Sequence, residues 1–469
     1  MARSIGFLAS ELQSPNPRGV TRVARAYAEQ LAASEEFDLL CLVHPVPQQA
    51  DVTYVACDLR EWLRANPIRQ VLPRRPLWRR AASRLAYVCL SEVVRAAIHR
   101  ARRSCRTLLG RLRIQSGGHG EEGLRHLALR ELDVLAVFDP FSEIYHRPIE
   151  NEPVCVAGWF HDAIPLRIRE GTHWDPDRFS AAVSRLTCKA TKIICGSASA
   201  ERDLHAFFPR SIGKSVTILD GHDHARFRGG ACGEDRAAVL AKYVRDQATP
   251  YFIAVGAIEP RKNTVNILRA CRHLRENSQR DFQLVLVGEN GASYEDSGAL
   301  GRLCRTVRVV RTGYVSDAEL PILASGACAL LYPSLWEGFG IPPLEAVSAG
   351  TLAIASDLAS LPEVLGAHAV YCDPYDPRSI AAAMRQCLEM PPGERQRRIE
   401  AGVEHASRLT WDAAAAKFAA LLREHFSAAD AGSEAPDSPR AGRGVDSSRG
   451  RAAPGLVPAR RDGPARKAA

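Results

Sequence analysis

The stretch Glu337-Gly338-Phe339-Gly340-Ile341-Pro342-Pro343-Leu344-Glu345 sets two carboxylates eight positions apart around a glycine-flanked aromatic and a double proline. Pro342 or Pro343 suits the first helical position, where a missing N–H costs nothing, so the pattern predicts a helix starting there and running to about Ala349. Glu345 then falls in the first turn, and Glu337 stays in the preceding loop. Between them Gly338 and Gly340 leave the backbone bare enough for a ligand to approach. A helix N-terminus with free amides attracts phosphate. The segment therefore offers amides to an anion and carboxylates to hydroxyl donors, and a nucleotide sugar presents both groups.

Outward from this stretch, short apolar runs alternate with helical segments. On its side of the chain, strands are predicted near 251–255, 282–287, 307–310, 329–332, 352–355 and 369–372, with Ser316-x-x-Glu319 as a capping-box start for one of the helices between them. The first half repeats the pattern, with strands at 4–8, 39–43, 132–138, 154–160, 192–195 and 216–219 and helices near 20–33 and 199–208. Continuous apolar runs between helices imply parallel sheets covered on both faces. At 469 residues the chain is too long for one ordinary core. The expected organisation is α/β with two doubly wound domains, 1–240 and 249–400, joined near 228–248. A terminal helix at 405–426 follows. The stretch 427–469, rich in Ala, Gly, Pro, Ser and Arg without periodicity, reads as a disordered tail.

Charge is unevenly placed. Residues 60–113 hold fifteen arginines against Glu61 and Glu92, an excess larger than the net +9 of the whole chain. This segment falls within an expected insertion at about 60–130, and much of 77–113 fits a helix with apolar and basic faces. Three readings compete: a solvated Arg-rich insertion, a surface that docks on anionic membrane, and a nucleic-acid site. The third is set aside, because no nucleic-acid module surrounds the patch. No apolar run approaches the ~20 residues that span a bilayer, and the start MARSIGFLASELQ lacks a secretory core and cleavage site. Thirteen scattered cysteines without a Cys-x-x-Cys pair read as reduced thiols. The expected location is the cytoplasm, with peripheral attachment to the inner membrane face open.

Several residues are candidates for chemistry. Arg261 and Lys262 follow a strand and the Gly256 turn and precede a helix beginning near Thr264, where two cations would neutralise a diphosphate as its bond breaks. His161 follows the strand 154–160, and a side chain at a strand's carboxyl end points into the crevice where open α/β sheets bind ligands. A structural histidine is the rival reading. Asp162 is either an acceptor contact or a helix cap. No aspartate-rich metal motif and no Gly-x-Gly-x-x-Gly fingerprint appears, so neither a metal nor a cofactor is expected.

The stretch 337–345 resembles the Glu-x7-Glu motif of retaining glycosyltransferases of family 4, which have the two-domain GT-B fold. Other segments match the same family in order: YFIAVGAIEPRKN at 251–263, LVLVG at 284–288, RTGYVSDAEL at 311–320, LPEVLG at 361–366 and LTWD at 409–412. The resemblance runs from about 150 to 426 and is loose at the N-terminus. It implies two Rossmann-like domains facing across a cleft, with the terminal helix packing back on the first. By resemblance Glu345 binds the donor's ribose hydroxyls and Glu337 holds hydroxyls of the transferred sugar. The Gly338, Phe339 and Gly340 amides face the sugar and diphosphate, His161 lies near the reacting centre, and Gly19 lets the backbone approach the diphosphate.

The implied activity is transfer of a hexose, with retention, from a nucleotide diphosphate sugar to a saccharide acceptor. The EPRKN loop is similar to that of mannosyl- and rhamnosyltransferases of surface polysaccharides, which makes GDP-mannose the first choice of donor. The basic insertion suits a lipid-linked acceptor in polysaccharide or glycolipid synthesis. A GT-B sugar-nucleotide epimerase and an inactive membrane-associated GT-B protein are the alternatives. Three positions depart from the family: Ala257 replaces a common basic residue, Pro17-Arg18-Gly19 replaces paired glycines, and Asp220-Gly221-His222-Asp223 replaces Asn-Gly-Val-Asp. The last is assigned only an interdomain turn.

Overall fold

A computed structural model describes residues 3–12, 20–45, 53–66, 125–142, 154–168, 175–228, 234–278, 280–289, 303–304 and 307–433. Gly19, the basic segment beyond residue 66, and 434–469 lie outside the described residues. Met1–Leu421 form one compact unit and the chain from Leu422 another.

The first unit contains two sheets. In the first, β1 (Ser4–Leu8), β2 (Asp38–Pro45), β3 (Thr53–Asp58), β4 (Arg125–Ala128), β5 (Val134–Val137), β6 (Cys155–Phe160), β7 (Lys192–Cys195) and β8 (Ser215–Thr217) take the order β4-β3-β2-β1-β5-β6-β7-β8. The neighbours along β2-β1-β5-β6-β7-β8 pair in parallel, with Ile5 of β1 between Leu39 and Val134. In the second, β9 (Tyr251–Val255), β10 (Gln283–Val287), β11 (Val309–Gly313), β12 (Ala329–Tyr332), β13 (Leu352–Ser356) and β14 (Ala369–Cys372) take the order β11-β10-β9-β12-β13-β14, all parallel. Helices cover both faces, so the strands are apolar on both sides. Phe252, Leu284, Leu330 and Ile354 are fully buried, each contributing roughly 2 kcal/mol.

Four expectations of extent are corrected. The basic insertion does not begin at 60: β3 and β4 extend the first sheet by antiparallel pairing, and the helix Leu59–Ala65 packs there through buried Leu59 and Trp62. Arg60 is spent internally, donating to the Ala32 carbonyl at 3.1 Å and the Ser34 carbonyl at 2.6 Å, beyond the end of the helix Val20–Ala32. Second, the helix Glu234–Tyr243 belongs with the second sheet, because Tyr243 and Val244 bury against its core. Third, Ala406 ends the helix Pro392–Ala406, and a new helix starts at Trp411. Fourth, that helix runs to Ser433 rather than 426, through Ala428, Ala429 and Ala431, which favour it.

An aromatic cluster joins this last helix to the first sheet. Trp159 stacks on Phe138 with centroids 3.9 Å apart, and Phe418 and Tyr27 meet Trp159 edge-on at 5.0 and 5.3 Å.

Candidate active site

In an open parallel sheet the crevice lies where strand order reverses. In the second sheet that point is between β9 and β12; the loop at the carboxyl end of β9 carries the expected cations and the loop after β12 carries Glu337. After β9 the chain turns through Gly256, at φ +137°, into the short 3-10 turn Pro260–Lys262. A Cβ on Gly256 would sit 3.3 Å from Lys262 Cε, so the bare backbone makes room for the lysine stem. Asn263 follows in the left-handed conformation, φ +60°, as N-cap of the helix Thr264–Glu276. Its amide donates to the carbonyls of Pro333 at 3.0 Å and Pro374 at 2.6 Å, tying this loop to the loops after β12 and β14.

The two cations converge on Glu337. Lys262 Nζ donates to Oε1 at 2.7 Å and also to the Tyr332 hydroxyl. Arg261 Nη1 lies 2.8 Å from Oε2 in an ion-pair contact without hydrogen-bond alignment, so this buried donor is unsatisfied. Burial alone would raise the Glu337 carboxyl, but Arg261 and then Lys262 overrule it and hold the group down at about 2. Burial and the neighbouring Arg261 push the Lys262 ammonium down to about 8. The result is a buried anion between two cations, one of which sits close to losing its proton at neutral pH.

Gly338 brings the first sheet to this site. A Cβ there would fall 2.2 Å from the His161 carbonyl oxygen and 2.9 Å from Asp162 Cβ, so the two main chains touch. Burial raises the Asp162 carboxyl, opposed by the Ile164 amide and by Arg261. Asp162 also caps the following turn, accepting from Ile164 N at 2.9 Å. His161 Nε2 bonds the Phe138 carbonyl oxygen at 2.8 Å, joining the carboxyl ends of the neighbouring strands β6 and β5, one strand from the first sheet's own switch point between β1 and β5. Phe339 turns its ring into the core of the second sheet, while the Glu337 and Phe339 carbonyls accept from Ser360 Oγ at 3.0 and 2.8 Å. Gly340, at φ +106°, is the N-cap of the helix Ile341–Ser348.

Two readings of this helix are corrected. It begins at Ile341, so Glu345 belongs to its second turn. Pro342 and Pro343 also remove two of the first amides, leaving an N-terminus poorer in donors than the pattern implied. Glu345 is buried, and Arg22 from the helix Val20–Ala32 donates to its Oε1. Arg226 Nη2 lies 3.8 Å from the same oxygen.

Sequence reasoning missed the residues that clamp the motif loop. Ser197 Oγ donates to the Gly338 carbonyl at 2.5 Å, and Trp336 Nε1 donates to Asp203 at 3.1 Å. Glu363, in the LPEVLG segment, accepts from Ala198 N at 2.8 Å and Ser199 N at 3.1 Å, capping the helix Ala198–Phe207 from the other sheet's side. His222 also exceeds the turn role given to it, bonding the Leu409 carbonyl oxygen at 2.6 Å and Ser348 Oγ. Burial pushes its imidazole down to about 4, so it is neutral. Of these partners, Trp336 adjoins and Glu363 lies within a matched segment, whereas Ser197 and Asp203 carried no signal in the sequence.

Residues 235–405 match the family model described as glycosyl transferases group 1. The chain is 34% identical over 165 residues to O-antigen chain mannosyltransferase B of Escherichia coli, covering 34% of this chain and 42% of that protein. It is 28% identical over 275 residues to the serotype-specific mannosyltransferase WbdA of Escherichia coli, covering 54% of this chain and 32% of the relative. It thus spans between about a third and two fifths of the length of these relatives. Among solved structures, sucrose-phosphate synthase from Thermosynechococcus elongatus superposes with a TM-score of 0.61 at 18% identity, covering 91% of this chain and all of that one. HepE of Anabaena, in complex with UDP and glucose, gives 0.60 at 14% identity over 90% of this chain and all of that one. The chain therefore has the GT-B fold, and its residues 235–405 are similar to glycosyl transferases group 1.

Proposed function

We propose that this protein is a retaining, metal-independent hexosyltransferase that moves mannose from GDP-mannose to a lipid-linked saccharide in polysaccharide synthesis. The observation that carries the reading is Glu337, ionised between Arg261 and Lys262 at the second sheet's switch point, with Glu345 eight residues on. The mannosyltransferase relatives support the choice of sugar. A diphosphate beside these cations would draw them from Glu337, whose oxygens then accept hydrogen bonds from the sugar hydroxyls.

As the bond from the anomeric carbon to phosphate breaks, the charge on the departing oxygen is met by Arg261, which already holds an unsatisfied N–H, and by Lys262. The acceptor hydroxyl attacks from the same face, and its proton passes to the departing phosphate oxygen. These two cations supply the charge stabilisation that a divalent ion supplies in other transferases. The basic segment 67–113 is proposed to dock on anionic lipid and present the acceptor.

The test is a melting-temperature panel with GDP, UDP, dTDP and ADP, with and without EDTA, followed by transfer assays. A ligand at ~100 times its Kd adds about 2.7 kcal/mol of stability. GDP alone is expected to raise the melting temperature, unaffected by EDTA. Glu337→Ala should lower turnover far more than nucleotide affinity, and Glu345→Ala should mainly weaken nucleotide binding. Full activity in either variant would overturn the assignment.

A further inference from the structure

Glu345 is 4% exposed at its side chain, and both of its cationic neighbours gather on one oxygen. Arg22 donates to Oε1, and Arg226 lies 3.8 Å from it. Among the described residues none bonds Oε2. Arg22 comes from the helix Val20–Ala32, which packs on the first sheet through Val23, Ala24 and Tyr27, whereas Glu345 belongs to the second sheet's motif helix. Burial works against the Arg22 charge, but Glu345 overcomes it and the guanidinium pKa is raised. Two more carboxylates, Asp317 and Asp223, add to the negative field around it.

We infer that Arg22 is a positioning residue of the nucleotide site: it reaches across from the first domain, pins Glu345 by Oε1, and turns Oε2 toward the ribose hydroxyls. This rests on the reading of Glu345 as the ribose-binding carboxylate. A guanidinium suits the task because it holds a carboxylate oxygen directionally while keeping it ionised, and an ionised acceptor makes the stronger hydrogen bond to a hydroxyl. The pair crosses between the domains, so ribose recognition is possible only when the first domain is in place. Nucleotide discrimination is thereby tied to domain approach, through a residue outside the donor-binding sheet.

The experiment compares GDP with 2′-deoxy-GDP by calorimetry, or UDP or ADP against its 2′-deoxy form where GDP gives no signal. In the unaltered protein the deoxynucleotide is expected to bind about tenfold more weakly, the loss of one hydrogen bond to a charged group. Arg22→Met should shrink that preference to less than about threefold while the deoxynucleotide's own affinity changes little. Arg22→Lys, which keeps the charge and one directional donor, should restore part of the preference. A merely structural role would weaken both nucleotides alike and leave their ratio intact. If the unaltered protein prefers ribose and Arg22→Met keeps the full preference, the inference fails while the reading of Glu345 survives. If the unaltered protein shows no ribose preference, or binds no nucleotide, the reading of Glu345 fails and the inference with it.

Discussion

Glu337 is a buried anion facing two cations, so its replacement strands charge in the interior. Glu337→Gln is expected to cost about 3 kcal/mol, read as a lower urea midpoint, because two buried cations then lack their counter-ion. The pH dependence follows from the direction of each shift. Glu337 falls from an ordinary 4.5 to about 2 on folding, so its stabilising contribution is present above 4.5 and is lost as pH drops toward 2. Lys262 falls from 10.5 to about 8, so between those values the unfolded chain binds more protons and stability rises with pH. Nucleotide binding should run the other way: GDP affinity should decline above pH 8 as Lys262 loses its proton, and Lys262→Met should flatten that decline in calorimetric titrations. The residue types at these positions were legible from the chain. Their mutual pairing was not, because nothing in the spacing of 261, 262 and 337 says that the cations hold the carboxylate rather than waiting for a ligand.

Among the elements, the motif helix and its entry are the most constrained. Gly340 combines φ +106° with a would-be Cβ 2.6 Å from Leu361 Cδ2. Gly340→Ala is therefore expected to lose about 2 kcal/mol or more, seen as a fall in melting temperature. The helix itself was readable from its prolines, although the start fell at Ile341 and moved Glu345 into the second turn. The parallel strands were readable too, since β9, β12 and β14 match the expected apolar runs residue for residue. β3 and β4 were not, because short strands at the margin of a sheet are defined by the partners they pair with more than by their own composition. The helix Glu234–Tyr243 hid for a related reason: its assignment to the second sheet rests on tertiary partners, the burial of Tyr243 and Val244 in that sheet's core and the bonds from Arg236 to Ser325 and from Lys242 and Tyr243 to Glu319.

At the scale of the molecule, the motif loop is held from the opposite side. Glu363 caps the helix Ala198–Phe207, and Ser197 at the head of that helix grips the Gly338 carbonyl. Glu363→Ala is expected to cost about 1 kcal/mol of stability and to reduce transfer turnover, while leaving GDP affinity near that of the unaltered protein, since no donor contact is removed. Phe418 closes the aromatic cluster around Trp159 and Tyr27 and is fully buried. Phe418→Ala should lower stability by about 3 kcal/mol in urea unfolding, with loss of near-ultraviolet circular dichroism from the cluster.

The chain alone determined the two parallel α/β sheets and the position of the Glu337–Glu345 stretch at a helix entry, because apolar periodicity and proline and glycine geometry act locally along the sequence. Only the tertiary structure decided which charges meet. Arg22 lies 323 residues from Glu345, Ser197 lies 141 from Gly338, and Glu363 lies 165 from Ala198. Such pairs are selected by the packing of two domains and by the cost of leaving a buried charge or amide unpaired, and neither term is written in the spacing of neighbouring residues.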